Sequence, residues 1–123
     1  MMAGSEQILD ATLQSWAADI LAHEPERVAA AFTEDAVFQG FDRTHTVGRT
    51  GIAAYYAKQP IGLSAAYRVR EVESLGDDAF AAFIDVDFTR PPAEVIPTHL
   101  TLVLVRAGAE WLIRHYHVSK IDA

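Results

Sequence analysis

Near its C-terminus the chain reads "EWLIRHYHVSKIDA", which sets His115 and His117 two residues apart in a strand-like run. A strand turns residues i and i+2 to one face, so the two imidazoles share a side of whatever sheet holds them. Imidazole can take and give a proton near neutral pH, which makes either residue a candidate for acid–base work. Upstream, "FIDVDF" places Asp85 and Asp87 on one parity with Phe83. Carboxylates flanked by Phe and Ile in a strand are either paired or line a cavity. In a cavity, desolvation raises an aspartate pKa and a neighbouring histidine counters the shift. The plain alternative is a solvated edge, or an ion pair with Arg68 or Arg70 on the adjacent strand. Asp87, nearer the strand end, is the better cavity candidate of the two.

The turn at Ala107-Gly108-Ala109 governs which groups meet His117. A three-residue loop pairs Arg106 with Glu110, and therefore His99 with His117 and Thr101 with His115. A two-residue loop puts Thr98 beside His117 instead, because a slip of one residue exchanges the faces. Strand histidines two apart can share a metal ion, but a carboxylate ligand and the supporting hydrogen bonds are not specified, so no metal is expected. The bland reading keeps both C-terminal histidines half-buried and hydrogen-bonded, with no chemistry. Tyr55 and Tyr56 are adjacent on a helix and point about 100° apart, so only one faces a cavity fully. Tyr56 shares a face with Ile52 and is the choice. Trp16, Phe32, Phe38 and Phe83 read as apolar lining or core.

These groups need elements to hold them. Leu9, Leu13, Trp16 and Ile20 form one helical stripe over residues 5–22, with Ser5 as N-cap. Pro25 suits the first turn of a short second helix reaching about Phe32. A short extended segment follows from Ala36 to Gln39, and "TGIAAYYAKQP" makes a third helix from Thr50 that stops before Pro60. The second half changes period. Segments 66–75, 79–89, 98–106 and 110–119 are rich in Val, Ile, Thr and aromatics and predict an antiparallel meander. "RPPAEVIP", Arg90 to Pro97, is its one long connection. Helices followed by a meander give the α+β layout, with the helices on one face of the sheet. The strands are apolar on both parities, so a second copy of the chain is the simplest cover for the other face.

At 123 residues the chain predicts a single domain, 1–123, without linker or repeat. Its net charge is −7 and its ten Lys and Arg are scattered, which argues against nucleic acid or an anionic membrane surface as partner. The absence of cysteine excludes disulfides and thiolate chemistry. No stretch has the length of a membrane span or the pattern of a signal peptide, and a cytoplasmic location is expected. No phosphate loop or dinucleotide fingerprint occurs, so no cofactor is expected.

"AAFTEDAVF", "VGRTGIAAYY" and "EWLIRHYHVS", in that order, resemble the nuclear transport factor 2-like superfamily. This is the cystatin-like group that includes SnoaL-type cyclases, the SgcJ/EcaC-type branch and the calcium/calmodulin-dependent kinase II association domain. The resemblance implies an α+β cone, about three N-terminal helices packed on a curved antiparallel sheet, with a pocket at the open end. It implies a homodimer through the outer sheet face. It also implies that the parity of Trp111, Ile113, His115, His117 and Ser119 faces the pocket. Ketosteroid isomerase, in the same superfamily, carries its base just after a similar "DAVFQG" segment, and matching Asp35-Ala36 puts that base at Gly40, which can take no proton. That mechanism is not transferred. Histidine, aspartate and tyrosine together are more similar in type to scytalone-type dehydratases.

The leading expectation is a pocket for a small apolar or aromatic, polyketide-like metabolite. His117 would handle protons with Asp87 and His99 in support, for cofactor-free isomerisation, cyclisation or dehydration. Tyr56, His115, Trp16, Phe38 and Thr101 would contact the ligand. The competing expectation is a non-catalytic binding or assembly module, and a third is a metal-assisted enzyme on the histidines. A cavity of about 300 Å³ or more would favour a ligand site, and a filled cone would favour assembly.

Overall fold

The computed structural model describes residues 4–121. Helix α1 (Ser5–Leu21) forms where the apolar stripe predicts, and Leu9, Leu13, Trp16 and Ile20 are all buried. Gly4 rather than Ser5 takes the N-cap position, and its N–H donates to Gln7 Oε1 at 3.3 Å. Helix α2 (Pro25–Ala30) starts on its proline, as expected, but ends before Phe32. The chain turns extended there because Phe32 is fully buried against the last strand, and Ile113 N–H donates to Ala31 O at 2.9 Å. Strand β1 (Phe32–Gln39) is thus twice the expected length, and is followed by β2 (Thr46–Val47) and α3 (Arg49–Ala57). Gly48 caps α3 at φ 95°, a conformation that disfavours any side chain.

The second half is the expected meander of β3 (Ser64–Ser74), β4 (Ala79–Arg90), β5 (Glu94–Ala107) and β6 (Glu110–Lys120). These pair antiparallel, and β1 adds to β6 in parallel, giving one sheet in the order β2-β1-β6-β5-β4-β3. The long connection from Arg90 to Pro97 is corrected: strand pairing runs to Arg90↔Glu94, so only Pro91, Pro92 and Ala93 turn the corner. Ile96, counted in that loop by the proline-rich sequence, is instead a buried strand residue.

The concave face of the sheet receives the helices. Phe80, Ala82, Ile84, Val86 and Phe88 on β4 alternate into the core, and so do Ile96, Thr98, Leu100, Leu102 and Leu104 on β5. Thr98 is tolerated there because its hydroxyl donates to Val86 O at 2.8 Å. The layout is the expected α+β cone, helices over a six-stranded, mostly antiparallel curved sheet. Among the described residues no helix is long and apolar enough to cross a membrane.

Candidate functional site

The β5–β6 hairpin decides which side chains enter the cone. Its loop is Gly108-Ala109, so Ala107 pairs with Glu110 and Leu104 with Ile113. One residue later a bulge absorbs Arg114, and the ladder resumes as Val103↔His115, Thr101↔His117 and His99↔Ser119. Neither of the two registers considered from sequence occurs. The bulge also breaks the parity of β6. Ile113 and Tyr116, three residues apart, are both buried in the concave core, which a regular strand forbids. The extra residue turns out, and Arg114 Nη1 donates to Asp35 O at 3.1 Å. Beyond the bulge Tyr116 and Val118 face inward, while His115, His117 and Ser119 face outward.

The sequence-based site is therefore corrected in its placement. His117, His99, Asp87, His115 and Thr101 lie on the outer sheet face, away from the cone. His99 and His117 are diagonal neighbours there rather than a direct pair. His99 Nδ1 lies 3.1 Å from Asp85 Oδ1, Arg70 Nε lies 3.6 Å from Asp85 Oδ2, and the His99 ring stacks on Phe83 at 5.5 Å. The plain alternative for Asp85, an ion pair with a β3 arginine, is the arrangement found. Burial, then the neighbouring His117 and Arg114, lowers the pKa of His115. Among the described residues no three His, Asp or Glu side chains gather as a metal site.

Inside the cone the polar groups are phenols. Tyr56 Oη accepts from Trp16 Nε1 at 3.1 Å and is a hydrogen-bond partner of the Tyr116 hydroxyl. Phe38 stacks on Tyr116, with centroids 4.4 Å apart and planes 17° apart. Burial pushes both Tyr56 and Tyr116 well above the ordinary phenol pKa, so both are neutral donors through the physiological range. Both Tyr55 and Tyr56 line the remaining slot, not Tyr56 alone. Burial raises Tyr55 as well, and its oxygen accepts from Phe41 N–H at 3.0 Å. Trp16 and Phe38 stand behind the slot as its support. Tyr116 was missed because the unbulged parity groups it with the outward Arg114. No local signal announces the bulge.

The slot lies at the open end, among Phe41, Phe88, Ile96, Val118 and the three phenols, with Gln59 and Arg90 at its mouth. Its free space is about 10 Å³, enough for roughly one water molecule. Gly40, the position matched to the isomerase base, sits beside it. A Cβ there would lie 2.4 Å from the Tyr55 ring, so the tyrosine fills the volume that a longer side chain would need. Among the described residues that line the slot, none is a carboxylate or an imidazole.

A curved antiparallel sheet closed on one face by three helices, with a slot at its wide end, defines the cystatin-like cone of the nuclear transport factor 2-like proteins. The chain belongs to the SnoaL-like domain family, whose model matches residues 9–123. No curated protein matches the sequence. In structure the chain is similar to a domain with a cystatin-like fold from Nostoc punctiforme, with TM-score 0.88 and 19% identity over 100% of this chain and 81% of that one. It is similar to a ketosteroid isomerase-like protein from Erwinia carotovora atroseptica, with TM-score 0.82 and 20% identity over 99% and 100% of the two chains. A protein from Xanthomonas campestris described as a calcium/calmodulin dependent protein kinase II association domain matches with TM-score 0.82 and 20% identity over 98% and 90%. At such identities these likenesses establish the fold, and their differing names do not choose a function.

Proposed function

We propose that this SnoaL-like domain binds a small, mostly apolar molecule in the open end of the cone, with the neutral phenol of Tyr56, whose oxygen accepts from Trp16 and Tyr116 and whose own proton is left to donate, as hydrogen-bond donor to one oxygen of the ligand. The observation that carries the reading is that Tyr55, Tyr56 and Tyr116 line an otherwise mostly apolar slot, where phenylalanine would pack as well without a polar tip. The lining supplies donors, and a proton-abstracting step would need a base from outside it. Entry to the slot requires Phe41 to move; its N–H donates to Tyr55 Oη, and its ring meets the edge of Phe88 and the ammonium of Lys120. Nitrogen-15 chemical-shift mapping with small aromatic ketones tests this. Shifts centred on Tyr56, Tyr116 and Val118, weakened about five- to tenfold by Tyr56→Phe, support it. Shifts absent from the slot overturn it.

With about 10 Å³ of free space the cone falls well short of the cavity of about 300 Å³ that would mark a preformed ligand site, and this favours a second reading, an assembly module paired through the outer sheet face. The Phe83–His99 stack, with Phe83 40% exposed, lies at the middle of that face. A homodimer there would cover it, and sedimentation showing a monomer at micromolar concentration removes this reading.

A further inference from the structure

The mouth of the slot carries a charge pattern that its walls do not. Arg90 lines the slot at the end of β4, and its side chain is about one third exposed. Its anion is Glu94, with Nη1 3.6 Å from Oε1, and Glu94 is itself mostly in solvent. One long contact to a solvated carboxylate is a weak pair, readily exchanged for a ligand that offers two short charge-assisted bonds to the guanidinium. Lys120 Nζ sits 4.8 Å over the ring of Phe41, one of the residues that line the slot. Lys58 is committed elsewhere, 2.6 Å from Asp42 Oδ2. One cation with a weakly held anionic partner, Arg90, thus lines the slot, and a second, Lys120, stands over the Phe41 ring, in a chain whose net charge is −7. A chain of net negative charge repels anions, so an anion that settles at this mouth is held by local groups.

We propose that the ligand is a small monocarboxylate with an apolar body, its carboxylate on Arg90, its body against Phe88, Ile96 and Val118. Moving Phe41 aside frees Lys120 to serve as the second cation. A hydroxyl or carbonyl at the far end of the ligand would meet Tyr56. This assignment rests on the reading of the cone as a binding site, and names the chemistry of what enters it.

The test compares two probes with one apolar body, 3-phenylpropionate and 3-phenylpropionamide, by calorimetry and nitrogen-15 shift mapping on the full chain at neutral pH. The carboxylate binds about tenfold tighter or more, with shifts at Tyr116 and Val118, and the preference shrinks as salt rises. Arg90→Gln abolishes the difference between the probes, Arg90→Lys restores part of it, and Lys120→Gln removes a smaller share. Unchanged far-UV spectra and melting temperatures certify that the variants are folded. Equal affinities with slot shifts overturn the carboxylate while leaving the binding reading standing. A preference that survives Arg90→Gln places the anion elsewhere and also overturns it. Shifts absent from the slot for both probes overturn the two together.

Discussion

The concave and outer faces of one sheet hold opposite kinds of chemistry. The concave face gathers Phe32, Phe38, Tyr116, Phe88 and the helix residues Trp16, Tyr55 and Tyr56, packed ring on ring with their few polar atoms paired. The outer face holds His99, His115, His117, Asp85 and Asp87, with the β3 arginines beside the aspartates, half-buried to exposed. Residue types associated with proton transfer thus lie on the face without the slot. The slot has groups that stay protonated. The contrast teaches that a histidine's value as a catalytic candidate depends on its face, and that the phenols inherit the site by position rather than by reactivity.

The largest expected difference between the faces is mechanical. Tyr116→Ala opens a cavity beside Phe38 and Phe32 and should cost about 3–5 kcal/mol in urea denaturation. His117→Ala should stay within about 0.5 kcal/mol. A large cost at His117 would break the comparison, and would mean that the outer face is covered in solution.

The faces should also separate along the pH axis. Tyr56 and Tyr116 have folded pKa values raised above the unfolded 10.0, so the unfolded chain releases their protons first. Their contribution is fully present below about pH 10 and is lost as pH rises toward the folded values. Stability measured by denaturation should fall on the alkaline side, with Tyr56→Phe and Tyr116→Phe each flattening that fall. A profile unchanged by both substitutions would place the phenols in solvent.

A third measurement probes the wall between slot and loop. Gly40→Ala forces the Tyr55 ring to move and strains its bond with Phe41 N–H, at about 1–3 kcal/mol. In the Tyr55→Ala background the same change should cost much less, and a double-mutant cycle reads the coupling. Additive costs would sink the steric account.

The smallest effect belongs to the outer face at acid pH. His115 has a folded pKa lowered from 6.5, so the unfolded state binds the proton more readily. Its contribution is present above about pH 6.5 and is lost as pH falls through the lowered folded value. His115→Gln should flatten this shallow acid slope, while His117→Gln at the exposed neighbour changes it less. The reverse order would assign the shift to the wrong histidine.

Much of the fold was legible because it rests on periodicity. The stripe of Leu9, Leu13, Trp16 and Ile20 marks α1, and the Val- and Thr-rich segments mark four strands within a few residues of their ends. The early part of β1 was not legible, because Phe32 to Asp35 lacks alternation and is held extended at its ends, by the Phe32↔Ile113 pairing and by Arg114 on Asp35 O. The proline pair at 91–92 made a three-residue turn look like a long loop. For the site, Tyr56 could be read from helical spacing, and Gly40 ruled out a carboxylate at its position, but the apolar lining of Phe41, Leu63, Phe88, Ile96 and Val118 was not read. Tyr116 could not be found, nor could His115 and His117 be assigned their face.

Alone, the sequence determined the elements, their order and the supply of groups: three helices, a meander, buried aromatics and a glycine at position 40. Only the tertiary structure decided which groups look into the cone. Parity along a strand is a local property, and it holds only while the ladder is regular. At Arg114 the demand to bury both Ile113 and Tyr116, together with the reach of Arg114 to Asp35, outweighs regular pairing. That single inserted residue sends the histidines out and brings Tyr116 in.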